Sequence, residues 1–385
     1  MKICILSRGP KLYSTRRLVE AAEKRGHEVV IRDTLQFSML LEQGRPALRY
    51  ANEAFEAPDA VIPRIGAPIT FYGCAVVRQF EQMGVFSLTG SHAIGVSRDK
   101  LRSLQMLSRH SVGMPTTAFV RGRKQVEDAI AQVGGAPVII KVLEGTQGVG
   151  VILAETDKTA HSIVETLQMA KQNVLIQKFV AEAKGSDIRA FVVGGQVVGA
   201  MRRTAKAGEF RSNVHQGGKA ETAELSPEFE KTAIEAAQIL GLRVAGVDIL
   251  EGAAGPKVME VNSSPGLEGI ETATGIDIAG AIIDHLEEAV PFPELDIHQR
   301  LTLRSGYGVS ELQVTTDSPL AHQTVKGAGL GAKDIRILTI RRPDGSSFPN
   351  PRPDREMLPG DVLLCFGKLP AIRGLIADRS GSSES

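Results

Sequence analysis

The chain has 385 residues, 42% of them hydrophobic, which is enough for several domains and a sizeable core. Its 45 basic residues offset 44 acidic ones for a net charge of +1, which excludes a global field for nucleic acid or membrane, so any anion site must be local. Cys4, Cys74 and Cys365 lie far apart without CxxC spacing; they suit a reducing compartment and argue against zinc or a disulfide framework.

The opening run "MKICIL" is too short for a signal peptide, and no apolar stretch approaches the roughly 18 residues of a membrane span. A cytoplasmic protein is expected. "MKICIL", "STRRLVEAAEK" and "EVVIRD" read as strand, helix and strand, with Gly26 stopping the helix. "DAVIPRIG" adds a strand and "YGCAVVRQFEQMG" a helix, which together predict an open parallel α/β domain over residues 1–96. The turn "SRGPKLYST" lacks GxGxxG, so a dinucleotide site has little support. Ser97 is expected to cap the helix "SRDKLRSLQMLSRHSV", which opens a second region, 97–178. In it "APVIIKVLEGTQGVGVILAE" reads as strand, glycine loop and strand, followed by a helix near 157–171 and the strand "VLIQKFV". Residues 179–292 are expected to hold a hairpin turning at Gly194-Gly195, a helix around 226–240, and the strands "AGVDIL" and "KVMEV". "PFPELD" marks a boundary before a small α/β module over 297–378, and the tail 379–385 reads as disordered. There is no internal repeat.

Three stretches carry chemistry. In "VMEVN", Glu260 and Asn262 interrupt what should be a core-facing strand, and side chains two apart share a face. If that strand pairs with "AGVDIL", Asp248 joins them, and three oxygen donors without His or Cys select magnesium or manganese. The alternative is that Glu260 pairs with a nearby Arg or Lys. The loop "EGTQGVG" after Lys141 can bring backbone N–H groups close to phosphates, though glycine-rich hairpin turns are common. "RRTAKAGEFRSNVHQGG" offers Arg203, Arg211, Asn213 and His215 to carboxylates or phosphates, or is a solvated loop.

The order and spacing of "MKICILSRG", "DAVIPRIGAPITFYG", "RDKLRSLQMLSR", "VGGAPVIIKVLEGTQGVGVILAET", "FRSNVHQGG" and "AGVDIL…VMEVNSSPGLEGIETATGIDIAG" resemble the RimK-type ATP-grasp carboxylate–amine ligases over residues 1–290. The resemblance implies an ATP-grasp α/β fold: a parallel α/β domain, two α+β ATP-grasp subdomains and an extra C-terminal module. It implies that Lys100 and Lys141 contact ATP phosphates under a loop containing Glu144, Gly145, Thr146, Gln147 and Gly148. Backbone at Lys178 and Phe179 is expected at the adenine, with Asp187, Arg211, Ser212 and Asn213 completing the nucleotide site. Asp248, Glu260 and Asn262 are expected to hold Mg²⁺ or Mn²⁺, as two ions. The chain departs from the family at Lys178, usually Glu, and at Ser263, usually Ala.

The activity so implied is ATP-dependent addition of L-glutamate to the C-terminus of small-subunit ribosomal protein six through an acyl phosphate. Arg203 or Arg211 is expected to stabilise the oxyanion. Another acceptor (a carrier protein, a coenzyme or poly-α-glutamate) remains open, as does a nucleotide-binding regulatory protein. Beyond residue 295, "PGDVLLCFG" and the "RPDG" turn resemble the TrkA-C module, expected here to pair subunits in a homo-oligomer.

Overall fold

A computed structural model describes residues 1–143, 150–183, 185–206, 218–291 and 307–375. They fall into two compact units, Met1–Phe292 and Pro293–Ser385.

The first unit opens with β1 (Lys2–Leu6), α1 (Tyr13–Lys24) and β2 (Glu28–Arg32). A small antiparallel sheet follows, made of β3 (Phe37–Leu40), β4 (Ala47–Tyr50) and β5 (Glu53–Ala54). Then come β6 (Ala60–Pro63), α2 (Thr70–Gln82) and β7 (Phe86–Ser87). Strands pair parallel in the order β2-β1-β6-β7. The continuous apolar runs of β1 and β6 fit this placement, because both faces of these strands are covered. The β3–β5 sheet is an addition to what the sequence predicts. It is held by ring contacts of Phe37 with Tyr50, Phe55 and Phe80, whose centroids lie 5.0, 5.1 and 5.5 Å away.

Next come α3 (Ser91–Arg98) and α4 (Lys100–Arg109). Ser97 does not cap α4 but lies in the last turn of α3, where its hydroxyl donates to the Ile94 carbonyl. The cap is Asp99, whose carboxylate accepts from the Arg102 N–H at 3.0 Å. A second antiparallel sheet holds β8 (Thr117–Phe119), β9 (Val138–Val142), β10 (Val151–Ala154) and β11 (Val174–Lys178), in the order β10-β9-β11-β8. Helices α5 (Val126–Gln132) and α6 (Asp157–Met169) close over it to form a separate core.

The largest sheet, in the order β14-β13-β12-β15-β16, contains β12 (Ser186–Val193), β13 (Gln196–Thr204), β14 (Lys219–Thr222), β15 (Val244–Gly252) and β16 (Gly255–Asn262). One face packs on α7 (Pro227–Ile239) through Ala190, Val192, Val247 and Val258. The other uses Phe191 and Met201 to meet α8 (Glu268–Thr274), α9 (Ile278–Ala289) and the N-terminal sheet. Ion pairs from Arg17 to Glu271 and Asp277, and from Arg25 to Asp284, tie α1 to this helical layer.

The second unit is a sheet of β17 (Tyr307–Gln313), β18 (Ile335–Arg341), β19 (Ser347–Pro349) and β20 (Val362–Lys368), in the order β17-β20-β18-β19. Its core includes Leu312, Val314, Leu363 and Cys365. The "PFPELD" boundary and the tail 379–385 lie outside the described residues. Among the described residues no helix is long and apolar enough to cross a membrane.

Candidate active site

The largest sheet carries a row of charges across its strands. Register sets Asp187 opposite Arg203, Arg189 opposite Asp248, and Asp248 opposite Glu260. Residues two apart on β12 share a face, so Asp187 and Arg189 meet their partners on the same side. Arg189 grips Asp248 with Nε and Nη2, both at 2.7 Å. Arg203 donates Nε to Asp187 at 2.8 Å, bonds the second Asp187 oxygen through Nη2, and reaches Asp248 at 2.9 Å. Asp187 and Asp248 are only 1% and 4% exposed, so this is a buried four-charge network, neutral in sum. Such a network holds only when fully paired. Burial alone would raise the Asp248 carboxyl, but the guanidiniums of Arg189 and Arg203 outweigh it and hold the group at about 2. Asp187 goes the other way: burial and the charge of Asp248 push it up against the Arg203 bond. Arg203 is held firmly protonated by the two aspartates, against the effect of its burial.

Glu260 is not buried; it is exposed. The reason is a β-bulge. Asp248 pairs with Glu260 but Ile249 pairs with Val258, so Met259 is an extra residue. A single-residue slip turns later side chains to the opposite face. Val258 and Val261, three apart, are therefore both buried, while Glu260 turns outward and Asn262 stays half-buried. The apolar alternation of β16 is thus kept on the core side, and the acidic edge is presented to the cleft.

Lys141 and Lys100 face that edge. Lys141 lies on β9, and burial lowers its ammonium to about 8 against the pull of Glu260, with Lys100 adding repulsion. Lys100, the first residue of α4, is lowered by burial against the same Glu260 attraction. Its Nζ lies 3.4 Å from the carbonyls of Val142 and Leu143, which joins α4 to β9. Two partly desolvated cations and an outward carboxylate thus converge from three elements.

At the end of β11, Lys178 is exposed, and the backbone N–H groups of Lys178 and Phe179 are both used inside the fold. Lys178 donates to the Thr116 carbonyl at 2.8 Å, and Phe179 donates to the Pro137 carbonyl at 3.3 Å. Only carbonyl oxygens of this pair remain for the expected adenine contact. Asp187, expected at the nucleotide, is instead spent on Arg203. Glu144, Gly145, Thr146, Gln147 and Gly148, together with Arg211, Ser212 and Asn213, lie outside the described residues. Gly150 closes the β9–β10 hairpin, its carbonyl accepting from Val142 at 2.9 Å.

Three cations were not singled out from sequence. Arg189 occupies a half-buried strand position two residues from Asp187, and charges alternating with apolar residues in "DIRAF" are the signal that could have found it. Arg64 and Arg98 follow a strand and end a helix, where nothing in the local pattern distinguishes them from surface arginines.

Among the described residues no three His, Cys, Asp or Glu side chains gather for a metal. A hard divalent cation needs only one or two protein carboxylates, with water and phosphate supplying the rest. Glu260 meets that need, with Asn262 beside it on the same edge. Asp248 fits less freely: its oxygens already accept three bonds from arginine, and a carboxylate offers about four lone-pair directions. The described donors therefore fit one oxygen-ligated ion held mainly by Glu260 and Asn262.

Residues 97–286 match the RimK-like ATP-grasp domain, residues 1–94 the RimK PreATP-grasp domain, and residues 309–377 the TrkA-C domain. A protein of Rhodopirellula baltica named "Probable alpha-L-glutamate ligase" is 59% identical over 379 residues, 98% of this chain and 93% of that relative. One of the same name from Azotobacter vinelandii is 59% identical over 288 residues, 75% of this chain and 96% of its own length. Among solved structures, the ATP-grasp ligase PsnB complexed with minimal precursor, Mg and ADP aligns with TM-score 0.59 at 22% identity, over 75% of this chain and 98% of that one. A RimK domain protein ATP-grasp from Sphaerobacter thermophilus aligns with TM-score 0.56 at 23% identity, over 74% and 100%. At these identities the structures speak for the fold alone. With matches across all three regions and a relative aligned nearly end to end, the chain belongs to the RimK-type family of ATP-grasp ligases.

Proposed function

We propose that the chain is an ATP-dependent α-L-glutamate ligase that joins L-glutamate to a C-terminal glutamate of an acceptor protein, small-subunit ribosomal protein six being the first candidate. The observation that carries the reading is the meeting of Lys100 and Lys141 with the outward edge of Glu260 and Asn262. Cations facing an oxygen-donor edge suit a metal-bound triphosphate. The names of the R. baltica and A. vinelandii relatives supply the amino acid.

In this reading the acceptor carboxylate oxygen attacks the γ-phosphorus and ADP leaves. The amine of L-glutamate then attacks the acyl carbon, inorganic phosphate departs, and the ammonium proton is lost to solvent. Lys100 and Lys141 orient the phosphates and offset their charge, which is most valuable where water is excluded. Glu260 and Asn262, with the remaining lone pair of Asp248, would hold Mg²⁺ or Mn²⁺; the ion supplies charge neutralisation on the transferring phosphoryl group. Arg203 is fixed by Asp187 and Asp248, so it can present a rigid positive charge toward the oxyanion without reorganising. Arg211 shares that assignment. The TrkA-C region would serve assembly into a homo-oligomer.

The test is incubation with ATP, magnesium and L-glutamate plus candidate acceptors, read by intact-mass spectrometry. Glutamyl additions confined to one acceptor identify it. Addition of a different amino acid in preference to glutamate would refute the proposal.

A further inference from the structure

Behind the outward edge of β16 lies a second cationic group. Arg64 follows β6 and donates Nη2 to the Pro265 carbonyl at 2.7 Å. Arg98 ends α3 and donates Nη2 to the Ile65 carbonyl at 2.6 Å. Every arginine of the Asp248 network, and those joining α1 to α9, has a carboxylate partner. Arg64 and Arg98 have none within ion-pair distance among the described residues; the carboxylate that acts on Arg98 is Glu260, at longer range. They also repel one another: burial and the charge of Arg98 lower Arg64 to about 10, and burial lowers Arg98. Apart from the distant Glu260, only carbonyl dipoles offset two half-buried guanidiniums, an arrangement that favours a counter-anion.

Three donors on Arg98 and on the segment that precedes Pro265 are unused. Arg98 Nε, Ser263 Oγ and Ser264 Oγ are all buried without a hydrogen-bond partner, and Ser263 is 3% exposed. Buried hydroxyls and N–H groups are satisfied in the great majority of cases, so these orphans need a reason; the two serines directly precede Pro265, whose carbonyl Arg64 binds, and Arg98 binds the carbonyl of Ile65 next to Arg64. The loop that carries the serines is held against the sheet at Gly246, where a Cβ would stand 2.8 Å from Pro265. Gly246 pairs with Asn262, so the group adjoins the candidate metal edge.

We infer that Arg64, Arg98, Ser263 and Ser264 form a binding site for a substrate carboxylate that does not react. This rests on the ligase reading, in which two sources supply that chemistry. Incoming L-glutamate carries two spectator carboxylates, and an acceptor ending in glutamate carries one on its side chain. A guanidinium pair with two hydroxyl donors matches the two oxygens and four lone-pair directions of a carboxylate. The site would tell an acidic residue from a neutral isostere, because a neutral group would leave both half-buried cations without a counter-charge.

The test uses the full chain, ATP and magnesium, with L-glutamate as amine and L-glutamyl-L-glutamate as acceptor. Arg98→Gln removes the charge, and Ser264→Asp places a carboxylate among the cations in competition with the ligand. Loss of a charge-assisted contact is expected to raise one KM by about 10- to 100-fold in both variants, leaving that of ATP unmoved. Whether the KM for L-glutamate or for the dipeptide moves identifies the source. Neither KM moving in either variant overturns the assignment. A binding readout separates failure of the site from failure of the ligase reading: the thermal midpoint with and without glutarate, a dicarboxylate lacking the amine. Wild type is expected to rise with glutarate, whereas Ser264→Asp starts higher and does not respond. A wild-type midpoint indifferent to glutarate overturns the site even if ligation is observed. A glutarate response lost in Ser264→Asp supports the site even if no ligation occurs.

Discussion

Replacing Lys141 with methionine should stabilise the free protein while damaging nucleotide binding. The ammonium has its usual value of 10.5 in the unfolded chain and about 8 in the fold, where burial outweighs the attraction of Glu260. Each pH unit between those values corresponds to about 1.36 kcal/mol. Holding Lys141 charged therefore costs the fold about 3 kcal/mol, or about 2–3 kcal/mol after allowing for screening of a side chain that keeps some accessible surface. The sign follows from the lowered value. The cost is complete below about pH 8, shrinks as pH rises toward 10.5, and is absent once the lysine is neutral in both states. Methionine has similar length and no charge. Urea denaturation in EDTA should show Lys141→Met more stable than wild type by about 2–3 kcal/mol at about pH 7, with the two converging near pH 10. Calorimetry with ATP and magnesium should show affinity lower by about 10- to 100-fold. A variant less stable than wild type at neutral pH, or a gap independent of pH, would refute the reasoning.

Glu260→Gln should abolish turnover yet leave the denaturation midpoint within about 0.5 kcal/mol of wild type, since the side chain is exposed and unpaired among the described residues. Asp248→Asn should cost about 3–5 kcal/mol, because Arg189 and Arg203 lose their shared partner. The stability that Asp248 contributes should be present above about pH 4 and lost as pH falls toward 2, a dependence missing from the asparagine variant. Lys178→Glu should be mild in ATP titration, since that side chain is exposed and its N–H is bound to Thr116. A chain ending at Val290 should fold and keep ligation, with only its oligomeric state altered. The A. vinelandii relative, aligned over 96% of its length to 288 residues, has little room for the C-terminal region.

Sequence periodicity carried much of this fold. Helix α1, the hairpin at Gly194-Gly195, and the pairing of "AGVDIL" with "VMEV" are where alternation and turn chemistry place them. The misses have physical causes. A bulge adds one residue without changing composition, so the extra Met259 was invisible, and Glu260 was expected to face the core. Strands β3 to β5 run two to four residues each and draw their stability from aromatic contacts distant in sequence, which no local pattern reveals. Asp248 was legible among apolar neighbours, whereas Asp187 entered only through the family resemblance, and the partners of both depend on cross-strand register. That register pairs Asp187 with Arg203 and brings in Arg189. Arg64 and Arg98 become distinctive only once β6, α3 and the loop after β16 are brought together.

The central claim is glutamate ligation through an acyl phosphate, and isotope transfer tests it most directly. L-Glutamyl-L-glutamate labelled with oxygen-18 in its terminal α-carboxylate is ligated with ATP, magnesium and unlabelled L-glutamate, and the released phosphate is analysed by mass spectrometry. The expected result is one labelled oxygen in inorganic phosphate for each peptide bond formed, with ADP as the other product. Inorganic phosphate free of label, or release of labelled AMP with pyrophosphate, would contradict the mechanism.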